Sequence, residues 1–209
     1  MSLYRVKEMF LTLQGEGVQA GRRALFIRFA GCNLWSGRER HRTGAICRFC
    51  DTDFVGTDGP GGGRLDGDSF VERAASLWGN APGCFAVLTG GEPLLQVDLP
   101  LIAALGDAGF EIAVETNGTV MAPAGIDWLT VSPKAGSETV QRSGDELKLV
   151  WPQEGLDPEA MLDWDFEHFL IQPMDCADAD ASRAEAISYV MAHPRWRLSL
   201  QNHKLLGLP

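Results

Sequence analysis

Short runs of apolar, β-branched and aromatic residues recur along the chain, each closed by glycine, proline, asparagine or serine. Val6–Thr12, Ala24–Phe29, Phe85–Leu88, Glu111–Glu115, Trp128–Val131, Glu146–Val150, Phe169–Ile171 and Arg197–Leu200 predict strands. Ser69–Trp78, Leu99–Ala108, Pro158–Leu162 and Ala181–Ala192 predict helices between them. Strands alternating with helices predict α/β architecture, with βα units around a mostly parallel sheet. The units are too few for a full eight-fold barrel, so an incomplete (βα) barrel is expected. Gly56–Gly63, which is Gly-Thr-Asp-Gly-Pro-Gly-Gly-Gly, predicts a flexible loop outside regular structure. No repeat, linker or boundary interrupts the pattern, and a length of 209 residues fits one domain spanning 1–209.

The unusual residues follow the strands: Gly31-Cys32-Asn33, Thr89-Gly90-Gly91-Glu92-Pro93, Thr116-Asn117-Gly118, Ser132-Pro133-Lys134 and Gln172-Pro173-Met174-Asp175. In parallel α/β folds the C-terminal strand ends form the face that carries the site. These segments are therefore expected to converge.

Charge narrows the function. A net charge of −10 disfavours contact with phosphate backbones, so no nucleic-acid partner is expected. Arg38, Arg40, His41, Arg42 and Arg48 form a local basic cluster, which reads first as a solvated loop face. No apolar run reaches membrane-spanning length, and the first seven residues lack the apolar core of a signal peptide. A cytoplasmic protein without membrane contact is expected. Five cysteines, an odd number, argue against a disulfide framework and for metal or catalysis.

Cys32-x14-Cys47-x2-Cys50 is the informative set. Thiolates favour iron–sulfur clusters or zinc. Structural zinc takes four closed ligands, and the fourth here would be His41, in cationic surroundings, or a distant residue. Three cysteines on a cubane leave one iron open for a substrate or cofactor. Cys84 and Cys176 read as inert thiols, His168 and His193 as structural, and the tryptophans as core or rim. In Gly90-Gly91-Glu92-Pro93, two glycines let a ligand approach the backbone, and Glu92 can accept from an ammonium group. The plain alternative is a strand-to-loop turn with a solvated glutamate.

Together, the cysteine triad and the later Gly-Gly-Glu-Pro resemble the radical S-adenosylmethionine (SAM) superfamily. The usual triad spacing there is x3 then x2; the x14 spacing is similar to the 7-carboxy-7-deazaguanine synthase family, in its subgroup with an enlarged cluster loop. Leu13–Gly17, Arg28–Trp35, Cys47–Asp53, Thr89–Pro93, Glu115–Gly118, Ser132–Lys134 and Gln201–Lys204 carry the resemblance over nearly the whole chain.

The resemblance implies a radical SAM type of barrel and a carbon–nitrogen lyase of the queuosine pathway. The reaction would convert 6-carboxy-5,6,7,8-tetrahydropterin to 7-carboxy-7-deazaguanine with loss of ammonia. It implies a [4Fe-4S] cluster on Cys32, Cys47 and Cys50, SAM as regenerated cofactor, and Mg²⁺ at Thr52. Phe49, Asp51, Gly91, Glu92, Ser132, Lys134, Gln172 and Asp175 would bind SAM. Leu13, Gln14, Gly15, Glu16, Arg28, Thr89, His203 and the carboxylate of Pro209 would bind the pterin. Arg28 would pair with the substrate carboxylate, and Gln14 and Glu16 would read its aminopyrimidine ring. A flavodoxin-like electron donor and a homodimer are also implied. Each residue has a plain reading too: a polar turn for Gln14–Gly17, the solvent face of a strand for Arg28, a turn or cap pair for Asp51 and Thr52, a surface loop for Ser132 and Lys134, and a helix cap for Asp175. The tail after Gln201 is expected to fold over the site and to bury Leu205, Leu206 and Leu208. Two alternatives remain open: an activase-type radical SAM enzyme, which lacks a use for Leu13–Gly17 and Gln201–Lys204, and a zinc-stabilised binding protein.

Overall fold

Phe85, Ala86, Val87 and Leu88 have no exposed surface, because their strand is covered on both faces. A continuous apolar run of this kind marks the interior of a parallel sheet. In the computed structural model, which describes residues 2–209, that run is β4 (Phe85–Gly90) of a nine-stranded sheet. The strands in chain order are β1 (Tyr4–Leu13), β2 (Arg23–Phe29), β3 (Gly63–Leu65), β4, β5 (Glu111–Thr116), β6 (Trp128–Val131), β7 (Ser143–Trp151), β8 (Asp165–Pro173) and β9 (Arg197–Leu198). Their order across the sheet is β3-β1-β2-β4-β5-β6-β7-β8-β9. β1 runs antiparallel to β2 and β3, and every later pairing from β2–β4 to β8–β9 is parallel. The sheet has two open edges, β3 and β9, as an incomplete barrel requires.

Three helices cover the outer face. α1 (Gly67–Trp78) starts where Asp66 accepts from the Ser69 N–H at 2.9 Å, and it buries Phe70, Ala74 and Trp78 at one-turn spacing. α2 (Leu99–Asp107) is capped by Asp98 and buries Leu101, Ile102 and Leu105. Each cap contributes about 1 kcal/mol. α3 (Ala179–Ala192) is capped by Asp178 and buries Ser182 and Ala186. These helices pack their apolar faces on the sheet in one continuous core. The opposite face is left free at the strand ends.

The structure corrects several expectations. Pro158–Leu162 is not a helix but a single 3₁₀ turn, Glu159–Met161, because one turn cannot offset the cost of nucleating an α-helix. Gly56–Gly63 is not a free loop. It lies against β1, with Met9 N–H donating to Pro60 O at 2.8 Å and Gly59 N–H to Lys7 O at 3.0 Å, and Gly63 opens β3. A Cβ on Gly62 would fall 2.3 Å from Lys7 O, so glycine is required by close backbone approach. The strand expected at Arg197–Leu200 is only two residues long. A short helix, α4 (Asn202–Leu206), follows it.

Candidate active site

The C-terminal ends of the parallel strands open into one cavity of about 370 Å³. β4 delivers Thr89 and Gly90, β5 Glu115 and Thr116, β7 Lys148 and Val150, and β8 Gln172 and Pro173. Ser132 and Lys134 reach it from the turn after β6. Leu13, Gln14, Gly15 and Glu16 reach it from the turn after β1, and Arg28 from β2. The cluster loop supplies Cys32, Cys47, Phe49, Cys50, Asp51 and Thr52, and the tail supplies His203 and Pro209. Gly91 and Asp175 complete the set. Residues dispersed over the sequence thus meet because the strands are parallel and in register.

Glu92 is the exception. It has no exposed surface and faces away from the cavity. One carboxylate oxygen accepts from Leu94 N–H at 3.0 Å and Thr116 Oγ1 at 2.7 Å, the other from Asn117 N–H at 2.7 Å. The expectation that it accepts from a ligand ammonium is corrected. Its carboxylate is enclosed by β5 and the turn that follows, and it braces those elements. Burial pushes its carboxyl above the ordinary range, against the lowering effect of these hydrogen bonds.

The adjoining glycines define the cysteine side of the cavity. Glu92 N–H donates to Gly31 O at 3.0 Å and Gly91 N–H to Phe29 O at 3.3 Å. A Cβ on Gly91 would sit 2.2 Å from Gly31 O and 2.8 Å from Cys32 Cβ. The Gly-Gly segment therefore lies directly against the first cysteine. Cys47 and Cys50 influence each other, which holds the Cys50 thiol down at about 6 and, with burial, pushes that of Cys47 up. Burial also raises Cys32. The ammonium of Lys134, half-buried near these sulfurs and donating to Ser132 O and Oγ at 2.5 and 2.7 Å, adds positive charge beside them.

Three soft sulfur donors from one loop, with no fourth protein ligand beside them, fit a cubane with one open iron. Among the described residues no three His, Cys, Asp or Glu side chains gather on one ion-sized position. His41, the candidate fourth ligand for zinc, has both ring nitrogens engaged, with Ser36 Oγ at 2.8 Å and Arg40 Nε at 3.2 Å, and it does not line the cavity. Cys84 and Cys176 lie elsewhere, beside Ala81 O and Ser182 Oγ.

The opposite wall holds a charge network that sequence reading missed. Lys148 is buried and donates to Glu16 at 2.5 Å and Glu115 at 3.2 Å. Gln14 Nε2 donates to Glu115 at 2.9 Å, and Gln201 Nε2 to Glu16 at 2.9 Å. Burial would raise Glu16, but the Lys148 charge and hydrogen bonds from Lys148, Gln201 and Gln172 outweigh it and hold its carboxyl down at about 2. Two positions along β7, Glu146 accepts from Val18 N–H at 2.7 Å, and a Cβ on Gly17 would fall 2.4 Å from its carboxylate. β7 thereby shapes the Gln14–Gly17 turn from below. The one signal in the sequence was a charged pair, Glu146 and Lys148, inside an otherwise apolar strand.

Arg28 does not point to solvent. Its Nε donates to Glu8 at 2.8 Å, and this bond leaves both terminal nitrogens for a ligand. Asp175 does not cap α3; Asp178 does. Instead Lys204 bridges Asp51 and Asp175 at 2.5 Å each, tying α4 to the cluster loop and to the end of β8. Asn202 N–H donates to Gly15 O at 2.9 Å, and Thr12 Oγ1 to Pro209 O at 3.3 Å. The tail folds over the site as expected, but Leu205 and Leu206 are exposed, at 72% and 64%. Leu208 is half-buried, and polar ties rather than burial of Leu205 and Leu206 hold the tail down.

The profile of the radical SAM superfamily matches residues 41–146, a span that opens inside the loop between Cys32 and Cys47. The chain is 58% identical over 208 residues to the 7-carboxy-7-deazaguanine synthase of Caulobacter vibrioides, covering 99% of each. It is 59% identical over 209 residues to that of Bradyrhizobium diazoefficiens, covering 98% of this chain and 99% of the relative. The crystal structure of QueE from Escherichia coli superposes with a TM-score of 0.72 at 27% identity, over 96% of this chain and 95% of that one. A shared fold, matches at this identity across the full length, and a cysteine triad at the mouth of the sheet establish that the chain belongs to the 7-carboxy-7-deazaguanine synthase family of radical SAM enzymes.

Proposed function

We propose that this chain is itself a 7-carboxy-7-deazaguanine synthase, converting 6-carboxy-5,6,7,8-tetrahydropterin to 7-carboxy-7-deazaguanine with loss of ammonia for queuosine biosynthesis. One observation carries the reading. A single cavity joins three thiols on one wall to a fixed carboxylate and amide set on the other. The bound [4Fe-4S] cluster and SAM supply the hydrogen-abstracting power, and the protein orients and shields them.

Cys32, Cys47 and Cys50 hold the cluster. Phe49, Asp51, Gly91, Ser132, Lys134, Gln172 and Asp175 bound the SAM subsite, and Glu92 supports it from behind. Glu16 is an anion at neutral pH, held down at about 2, and so offers only acceptors to the N–H groups of the aminopyrimidine. Gln14, fixed by Glu115, reads the same ring edge. Arg28 presents its two terminal nitrogens to the substrate carboxylate, with Leu13, Gly15 and Thr89 shaping the slot. His203 and the Pro209 carboxylate close it from the tail, which also keeps water out. Thr52, with substrate oxygens and water, offers a hard oxygen ligand to Mg²⁺.

We read the chain as a single radical SAM domain. No described helix is long and apolar enough to cross a membrane, and we place the enzyme in the cytoplasm with a flavodoxin-like electron donor. Exposed Leu198, Leu200, Leu205 and Leu206, close together at the chain end, support a homodimer.

The test is anaerobic. Reconstituted protein with SAM, dithionite, Mg²⁺ and the carboxytetrahydropterin should release the deazaguanine, with less than one 5′-deoxyadenosine per product. Cluster-loaded protein that leaves the pterin intact would overturn the reading.

A further inference from the structure

The chain just after β9 reverses the usual placement of apolar and polar side chains. It reads Leu198-Ser199-Leu200. Leu198 and Leu200 keep 37% and 38% of their surface exposed, and Ser199 between them keeps 4%. Two leucines turned out and a hydroxyl turned in is the opposite of what apolar burial favours, and a buried hydroxyl is costly unless it is hydrogen-bonded. The partners of this hydroxyl supply the reason. Ser199 does not line the cavity, but Gln172 and Glu16, to which it connects, do.

The backbone N–H of Ser199 donates to Ile171 O at 2.8 Å, which fixes the residue beside the end of β8. Its Oγ accepts from Gly17 N–H at 3.0 Å and donates to Gln172 Oε1 at 2.9 Å. A backbone N–H can only donate and an amide oxygen can only accept, so a hydroxyl, which does both, fits between them. With Oε1 engaged there, the amide nitrogen of Gln172 is left for Glu16, whose carboxyl it helps to hold down. Glu16 and Gly17 are adjacent in the chain. The hydrogen bonds therefore close a ring that runs from Gly17 to Ser199, from Ser199 to Gln172 and from Gln172 to Glu16. Gln172, 3% exposed, stands on the SAM side of this ring, and Glu16 stands on the pterin side.

We propose that Ser199 is a positioning residue that holds the SAM and pterin subsites in register, setting the Gln172 amide on one side and the Gln14–Gly17 turn on the other while touching neither ligand. This rests on the subsite assignment above. Without the hydroxyl, Gly17 N–H and Gln172 Oε1 both lose this partner, and polar groups shielded from water shift to find another. Gln172 then leaves the orientation in which it serves its subsite, and Glu16 loses a donor that fixes its acceptors. The two subsites loosen together. The cluster is retained, because the ring of hydrogen bonds includes no residue of the segments that carry Cys32, Cys47 and Cys50.

The experiment uses anaerobically reconstituted holoenzyme. SAM affinity is measured by isothermal titration without reductant, and the pterin KM and kcat are measured with dithionite. Ser199→Ala should weaken SAM binding and raise the pterin KM, each by about tenfold, the loss expected for a hydrogen bond that orients a charged or ligand-facing group. Its kcat and iron content should stay near the wild-type values, since the lost interaction serves ground state and transition state alike. Gln201→Leu, which removes a donor to Glu16 alone, should raise the pterin KM and leave SAM binding unchanged. Ser182→Ala, a buried serine on α3 paired with Cys176 outside the cavity, should change neither constant. Wild-type constants in Ser199→Ala, weakening of the pterin without SAM, or equal losses in the two serine variants would each overturn the proposal. If Ser199→Ala loses iron, Ser199→Cys, which keeps nearly the same volume with a weak donor, decides by the same measurements. A wild-type holoenzyme that binds SAM and leaves the pterin intact would count against the function instead, and the SAM titrations of the serine variants would still decide whether Ser199 positions Gln172.

Discussion

Lys148 Nζ lies 2.5 Å from a carboxylate oxygen of Glu16, and both side chains belong to the cavity wall. The lysine is enclosed, and the charges of Glu115, Glu16 and Glu146 overcome the lowering effect of its burial and raise it above its ordinary value. It is a positioning residue, fixing two acceptors that face the ligand. Removing one partner of a buried pair costs about 3–5 kcal/mol. Lys148→Met should therefore lower the melting temperature and raise the substrate KM, and Lys148→Arg should restore part of both. Loss of the lysine also frees burial to raise Glu16, so the acid limb of the kcat/KM profile should move to higher pH. An unmoved limb would remove Lys148 from this role.

The same pair sets an acid dependence of stability. Glu16 has a depressed carboxyl, about 2 against an ordinary 4.5. Its contribution is complete above about pH 4.5 and is lost as pH falls from there through 2. Denaturant melts of the wild type and of Glu16→Gln between pH 6 and pH 3 should show the wild type losing more stability over that interval. Parallel curves would refute the linkage.

Gly91 has no room for a methyl group, with Gly31 O and Cys32 Cβ both closer than 3 Å to its position. Gly91→Ala must displace backbone next to a cluster ligand, an overpacking cost of about 1–3 kcal/mol. Iron per chain after reconstitution should fall markedly, as should activity. Wild-type iron content in this variant would show that the contact yields easily.

Cys32→Ala, Cys47→Ala and Cys50→Ala should each reduce bound iron and turnover to background. Cys84→Ala and Cys176→Ala should keep both, since their thiols pair with Ala81 O and Ser182 Oγ outside the cavity. Elemental analysis after anaerobic reconstitution separates the two groups.

The tail offers a cleaner kinetic separation. Deleting Pro209 or adding a C-terminal tag removes or displaces the terminal carboxylate beside Thr12. Loss of one hydrogen bond to a charged group, about 1.5–3 kcal/mol, predicts a KM higher by roughly tenfold or more. Iron content should not change. Unaltered kinetics in the tagged protein would show that the carboxylate does not reach the pterin.

The sequence by itself determined most of the strands, the three long helices, the largely parallel character of the sheet and the face on which the unusual residues sit. Runs such as Phe85–Leu88, short, apolar and closed by glycine, fit doubly covered strands, and Cys32, Asn117 and Lys134 follow strands that pairing brings into register. It also singled out Cys32, Cys47 and Cys50 as the candidate ligand set, through a spacing that resembles one family. Only the tertiary structure decided what depends on distant partners. Glu92 looks like a solvent-facing acceptor in its own segment, and becomes a buried brace because β5 presents Thr116 and Asn117 to it. Gly56–Gly63 has no periodicity of its own, and its order comes from the carbonyls of Lys7 and Met9 that glycine alone can approach. Leu205 and Leu206 promised an apolar seal, yet the tail is held by Lys204 between Asp51 and Asp175. Asp51 lies 153 residues and Asp175 29 residues from Lys204, and no local pattern encodes a charge pair at that separation. Local sequence carries propensity and spacing; the fold alone assigns partners.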